Sequence, residues 1–133
     1  MRYPYYHERR GSAIRFLPLV PITIHGPTAS AEVNALVDSG AEDNVFRTDL
    51  ARGLGLHLDR RDQVTLAGYD GTEGVAYRSV IELQVGPHRW RATALFSDVL
   101  TRRALLGQDG FFAFFTVTFR YRDRILDVRP VKA

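Results

Sequence analysis

Residues 35–41 read Ala35-Leu36-Val37-Asp38-Ser39-Gly40-Ala41, an apolar run that ends in an acid, a small hydroxyl residue and a glycine. An apolar approach followed by three turn formers predicts a buried strand that delivers one carboxylate into a loop. The motif occurs once in the chain. Chemistry that needs two such carboxylates therefore needs a second copy of the chain, so this stretch bears on reaction and assembly together.

Two further stretches extend the pattern. Ala104-Leu105-Leu106-Gly107-Gln108-Asp109 sets two hydrophobic residues and a glycine ahead of a short predicted helix. Between the two, Leu66-Ala67-Gly68-Tyr69-Asp70-Gly71-Thr72-Glu73-Gly74 has the glycine density of a hairpin tip, with Asp70-Gly71 as its turn. In this order and spacing the set resembles the retropepsin-like aspartic peptidases. Asp38-Ser39-Gly40-Ala41 is similar to their active-site signature, the glycine-rich stretch to their flap, and Leu105-Leu106-Gly107 to their second conserved element. The resemblance spans Leu36 to about Phe115 and implies a single-domain, cellular, bacterial member. It also implies an all-β, retropepsin-like acid protease fold, a closed antiparallel β structure with one or two short helices and a flap hairpin.

The resemblance assigns roles to individual positions. Asp38 is the expected catalytic residue, Ser39 ties two active-site loops across a dimer axis, and Gly40 donates its amide toward the carboxylate. Gly68, Tyr69, Asp70 and Gly71 form the expected flap over a polypeptide substrate. Ala41, Glu42, Leu105, Gly107 and Gln108 frame the site. Family members pair an acid after the first motif with an arginine after the second glycine; here Glu42 faces Gln108, so a charge-assisted pair becomes neutral and weaker. Leu36, Val45, Phe96 and Leu106 are apolar enough to line subsites or simply to fill the core.

A lone exposed carboxylate, with an ordinary pKa near 3.9, is a weak general base. Two held at hydrogen-bonding distance share a proton, so one can accept a proton from water while the other polarises a carbonyl. A twofold axis between two Asp38 side chains supplies such a pair from one gene product. The expected enzyme is thus a homodimeric aspartic endopeptidase that needs no cofactor and no metal. The alternative is an inactive protein of the same fold that binds an extended peptide or another protein. Ser39 as a nucleophile lacks both a glycine-flanked elbow and a nearby histidine.

Composition narrows the remaining classes. The chain of 133 residues is large enough for one unstapled core. With no cysteine, disulfide and thiolate chemistry are excluded. His7, His25, His57 and His88 are scattered without metal-site spacing. The net charge of +3 comes from arginines interleaved with acids, Lys132 being the only lysine, so no block favours nucleic acid. Arg120, Arg122 and Arg124 alternate along a predicted strand and turn, as a solvated sheet face or a protected edge does, with a nucleic-acid-binding β module as the lesser alternative. The apolar stretch from Ile14 to Ile24 is broken by Arg15, Pro18 and Pro21, which leaves no secretory core or membrane span, and a cytoplasmic location is expected.

Organisation follows from the same patterns. Residues 1–13 read as a flexible arm, or a segment ordered only by a partner, and 14–133 as a single retropepsin-like domain. Strands are predicted over Leu17–His25, Ala31–Val37, Val45–Phe46, Gln63–Ala67, Val75–Val85 and Trp90–Phe96, with a closing hairpin of Thr116–Tyr121 and Arg124–Val128. Thr48-Asp49 is the predicted cap of a short helix through Leu54, with Gly55 as its left-handed stop. Gly110–Phe114, with Asp109 as cap, fits a helix or a buried strand.

Overall fold

A computed structural model describes residues 1–67, 71–99 and 103–132. Along the chain run β1 (Arg2–Pro4), β2 (Tyr6–Arg10), β3 (Ala13–Leu17), β4 (Leu19–His25), β5 (Ser30–Val37), β6 (Asn44–Phe46), α1 (Thr48–Leu54), β7 (Gln63–Ala67), β8 (Glu73–Val85), β9 (His88–Ser97), β10 (Ala104–Leu106), β11 (Phe115–Arg120) and β12 (Ile125–Pro130). Among the described residues no helix is long and apolar enough to cross a membrane.

The main sheet has the order β4-β5-β10-β6-β9-β8-β7, and a further pairing of β4 with β8 closes it. Closure leaves β7 outside, hydrogen-bonded among the described residues to β8 alone, as the first arm of a hairpin from Gln63↔Tyr77 to Ala67↔Glu73. The closed sheet is mixed, not antiparallel throughout: β10 runs parallel to β5, and β6 parallel to β9. The cause is an insertion. β10 slots between the consecutive strands β5 and β6, so the chain from Val37 to Asn44 must cross over the end of β10. The two similar segments of sequence thereby become neighbours, with Ala104↔Ala35, Leu105↔Leu36 and Leu106↔Val37 in register.

Alternation along these strands sends one face into the main core. Val20, Ile22, Ile24, Val37, Phe46, Leu83, Phe96, Leu106 and Leu126 are buried there. The helix α1 begins at Thr48 behind Arg47 with no side-chain cap bond, so Thr48-Asp49 opens the helix and does not cap it; α1 adds Ala51 and Leu54 to that core and stops at Gly55, whose φ of 80° is left-handed. The Phe-rich stretch settles between the two predicted alternatives as a π-type turn over Gln108–Phe112, followed by strand. Its four-residue spacing stacks Phe111 on Phe115, with ring centres 5.0 Å apart, and Trp90 caps the pair while donating Nε1–H to Gly110 O at 2.8 Å. Asp109 lies inside this turn, and the cap position is Gly107.

Residues 1–13, read as a flexible arm, instead form most of two strand pairings. β1 adds to the C-terminal hairpin as β1-β12-β11, and β2 pairs with β3 as a separate hairpin. Buried Tyr5 is the pivot between them, its amide bonded to Arg124 O at 2.8 Å. Arg124 has a left-handed φ of 57°, which turns its guanidinium over the Phe16 ring at 3.9 Å and the Tyr121 ring at 4.2 Å. The three alternating arginines therefore do not share a solvated face: Arg124 clamps the β2–β3 hairpin, and Arg120 pairs with Asp123 at 2.8 Å.

Candidate active site

Asp38 follows the last residue of β5, where the chain begins its crossing of β10. Its amide donates to Leu106 O at 3.0 Å, so the position of Asp38 is set by the inserted strand. Gly40 N donates to Asp38 Oδ1 at 2.9 Å, and Ala41 N to Asp38 O at 3.1 Å, winding the next residues into a tight turn around the half-buried carboxylate. The family-like Asp-Ser-Gly order thus has a local reason: the glycine amide is an acceptor's partner in a turn that a bulkier residue would crowd. A Cβ on Gly40 would stand 3.2 Å from Asp38 Oδ1.

The second motif is welded to the first. Gln108 N donates to Ala41 O and Asp109 N to Glu42 O, both at 2.9 Å. Gly107 lies under this crossing, where a Cβ would meet Asp43 O at 2.5 Å and Ala41 O at 2.8 Å. Those are backbone atoms with little freedom to retreat, so only glycine lets the two loops come this close. The Gln108 side chain donates Nε2–H to Ser39 O at 2.6 Å, a loop-to-loop tie in place of the expected pairing with Glu42. Ser39 and Glu42 are exposed.

Asn44 is the contributor that sequence reasoning missed. It is fully buried, and its Oδ1 accepts the Gly107 amide at 2.9 Å. Its Nδ2 has no hydrogen-bond partner among the described residues and packs against Gly110, where a Cβ would stand 2.2 Å away. The available signal was an amide at the start of the otherwise apolar Asn44-Val45-Phe46, since a buried polar group needs a partner.

The apolar surroundings sort by strand register. Cross-strand neighbours share a face, and Leu36↔Leu105↔Val45↔Leu95 make one row. Val45, Ala76 and Leu95 form a second buried cluster there, with Val64, Leu66 and Leu105 partly exposed against it. Asp38 continues the parity of Leu36 at the end of that row. Phe96 and Leu106 belong to the opposite face and are fully enclosed in the main core, so a bound peptide does not reach them. Their placement among subsite candidates fails for one reason: apolar character alone does not tell which face of a two-sided strand is open.

Of the four glycine-rich tip positions, Gly68, Tyr69 and Asp70 lie outside the described residues. Gly71 is exposed with a φ of 82°. The base of that hairpin is tied to the end of β9. Ser97, fully buried, donates Oγ–H to Val75 O at 2.8 Å and accepts Val99 N at 3.2 Å. Among the described residues no group of three or more histidine, aspartate or glutamate side chains has the arrangement to hold a metal ion.

With this geometry in place, comparison with known proteins decides the family. A family model described as aspartyl protease matches residues 20–109, from the first barrel strand through the second motif. The chain belongs to the aspartyl protease family. The fold of this aspartyl protease family member is similar to that of a retropepsin-like aspartic protease from Rickettsia conorii, with a TM-score of 0.65 at 16% identity. The likeness covers 100% of this chain and 94% of that one, so β1–β3 and the C-terminal hairpin fall within the shared architecture. No curated protein matches the chain significantly. The family model ends at Asp109, the residue whose amide closes onto the Glu42 carbonyl.

Proposed function

We propose that the chain is an aspartic endopeptidase that works as a homodimer, with Asp38 from each copy forming one carboxylate pair. The observation that carries this reading is the fixing of Asp38 on both sides, by Leu106 O at its amide and by Gly40 N at its carboxylate. An ordinary surface turn has no reason to be anchored to an inserted strand; a reacting carboxylate does, because misplacement by about 1 Å is costly to rate. The single motif per chain makes the second copy a requirement of the chemistry.

In this reading the two carboxylates share one proton. The ionised one accepts a proton from the bound water as its oxygen attacks the peptide carbonyl carbon. The protonated one donates toward the carbonyl oxygen as charge builds there. The tetrahedral adduct then collapses, the C–N bond breaks, and the amine leaves with a proton from the pair. One water is consumed and one acid and one amine form. Ser39 and Gly40 hold the loop, and Gln108 takes over the bracing that an arginine provides elsewhere in the family.

The substrate would lie extended over Leu36 and Leu105, beneath the β7–β8 hairpin acting as a flap. Partly exposed Leu66 and Val64 on β7 make that cover apolar. Because β7 ends the sheet among the described strands, its outer edge also supports a second reading, a binding module that adds an extended peptide as a strand without cleaving it.

One experiment separates the two: cleavage of a peptide library from acidic to neutral pH by wild type and Asp38→Asn. Loss of general acid–base chemistry predicts a fall of about 10²–10⁴-fold in the variant, with peptide binding retained. Equal cleavage by both proteins would remove Asp38 from the mechanism. Binding without cleavage by either would leave the strand-addition reading.

A further inference from the structure

The β2–β3 hairpin is not needed to close the barrel, yet it is fastened at the active-site loop. Pro18 directly follows it, and Pro18 O accepts the amide of Val37, the residue before Asp38, at 2.9 Å. Further out, Glu8 on β2 accepts a hydrogen bond from Arg103 Nη2 at 3.0 Å. Arg103 directly precedes β10, the strand whose Leu106 carbonyl holds the Asp38 amide. Both ends of this ion pair are mostly shielded from solvent, at 22% and 23% exposure, and Glu8 Oε2 is buried without a partner among the described residues. The hairpin is therefore latched beside the site on one defined face.

Register names the other residues on that face. Glu8 stands opposite Arg15, and Arg10 lies two residues further along β2. Side chains two apart on a strand share a face, so Arg10 and Arg15 flank Glu8 on the side that looks toward Arg103. Both are exposed, and neither has an ion-pair partner among the described residues. The Glu8 charge is already met by Arg103, which leaves the two guanidinium groups as uncompensated positive charge. The opposite face, with Phe16, is occupied by the Arg124 clamp.

We propose that the Glu8 face of the β2–β3 hairpin is a specificity wall, on which Arg10 and Arg15 select polypeptide substrates with acidic side chains flanking the scissile bond. The inference rests on the peptidase reading of Asp38. An extended peptide advances about 3.3 Å per residue, so a side chain three or four residues from the scissile bond lies roughly 10–13 Å from it. A five-residue strand starting beside the Asp38 loop spans about that distance and somewhat more. Guanidinium groups suit the task because they stay charged and grip carboxylates in bidentate fashion. Solvent-exposed pairs of this kind change affinity modestly and weaken with salt.

The test walks one aspartate through four positions on each side of a cleaved bond in an otherwise neutral peptide. The readout is the acidic-to-neutral ratio of kcat/KM. Wild type should favour at least one acidic position by about 3–10-fold at low salt, and the ratio should fall toward one in Arg10→Gln/Arg15→Gln and at high salt. A wild type without acidic preference, or a double variant that keeps it, overturns the proposal. A double variant that weakens dimerisation while the preference persists assigns this face to the second copy instead, and also overturns it. Binding of fluorescent acidic and neutral peptides to Asp38→Asn separates this idea from the peptidase reading. Charge-dependent binding without cleavage by wild type would overturn the peptidase reading and the substrate selection that rests on it, whereas cleavage without charge dependence overturns the wall alone.

Discussion

The strands β6, β9 and β10 carry apolar residues on both faces, and the two faces are finished differently. Phe46, Phe96 and Leu106 on one face are fully enclosed beneath α1 and the barrel. Val45, Leu95 and Leu105 on the other are joined by Leu66 and Val64 into a small cluster whose rim stays partly exposed. A cluster of that size contributes little to a core, and its open rim lies in line with Asp38. The contrast teaches that hydrophobicity alone does not single out a binding face; the proposed one is distinguished by incomplete cover beside a fixed carboxylate.

Substitutions can break this comparison. The largest stability effect should come from Phe96→Ala, which leaves a cavity in the enclosed face and should cost about 3–5 kcal/mol, read as a lower urea midpoint. A loss below about 1 kcal/mol would show that the two faces are not energetically distinct. Next is Asn44→Ala, which orphans the Gly107 amide under the loop crossing. A buried donor left unsatisfied predicts about 1–3 kcal/mol, and recovery in Asn44→Asp would identify the acceptor as the part that matters.

Leu105→Ala tests the open face. Removing a half-exposed side chain should lower stability by only about 1 kcal/mol, while KM for apolar peptides rises. Unchanged KM would remove this row from the substrate path.

The smallest effect lies outside both faces and serves as their control. Burial acts to raise the pKa of Asp127, but its bond to Arg129, the Arg129 charge, the Met1 amine and Arg2 together hold it below the ordinary carboxylate value. A depressed pKa means that the native state favours the ionised form. Its stabilising contribution is present above about pH 4 and is lost as pH falls through the folded value. Asp127→Asn should thus be less stable than wild type at neutral pH, with the gap closing on acidification in thermal unfolding curves. A gap that widens in acid would contradict the sign.

Much of the barrel was legible in the sequence because its signals are local. The Gln63–Ala67 strand was read to its ends, and the short helix through Leu54 with its Gly55 stop follows from turn chemistry that depends on neighbours alone. The first segment has the sequence of a flexible arm because its order comes from afar, from β12 and from the Arg124 clamp. The Phe-rich turn was ambiguous because its spacing satisfies both periods. What resolved it was Trp90, twenty residues upstream, bonding to Gly110 O.

By itself the sequence determined the family-like motifs, their order and the presence of one aspartate motif per chain, since each depends on residue type and short spacing. Only the tertiary structure decided how they meet. The insertion of β10 between β5 and β6 converts two distant motifs into one crossing, because a sheet pairs strands by backbone geometry without regard to their separation in sequence. That crossing selects glycine at 107, brings Asn44 beneath it and turns Leu105, not Leu106, toward the open face.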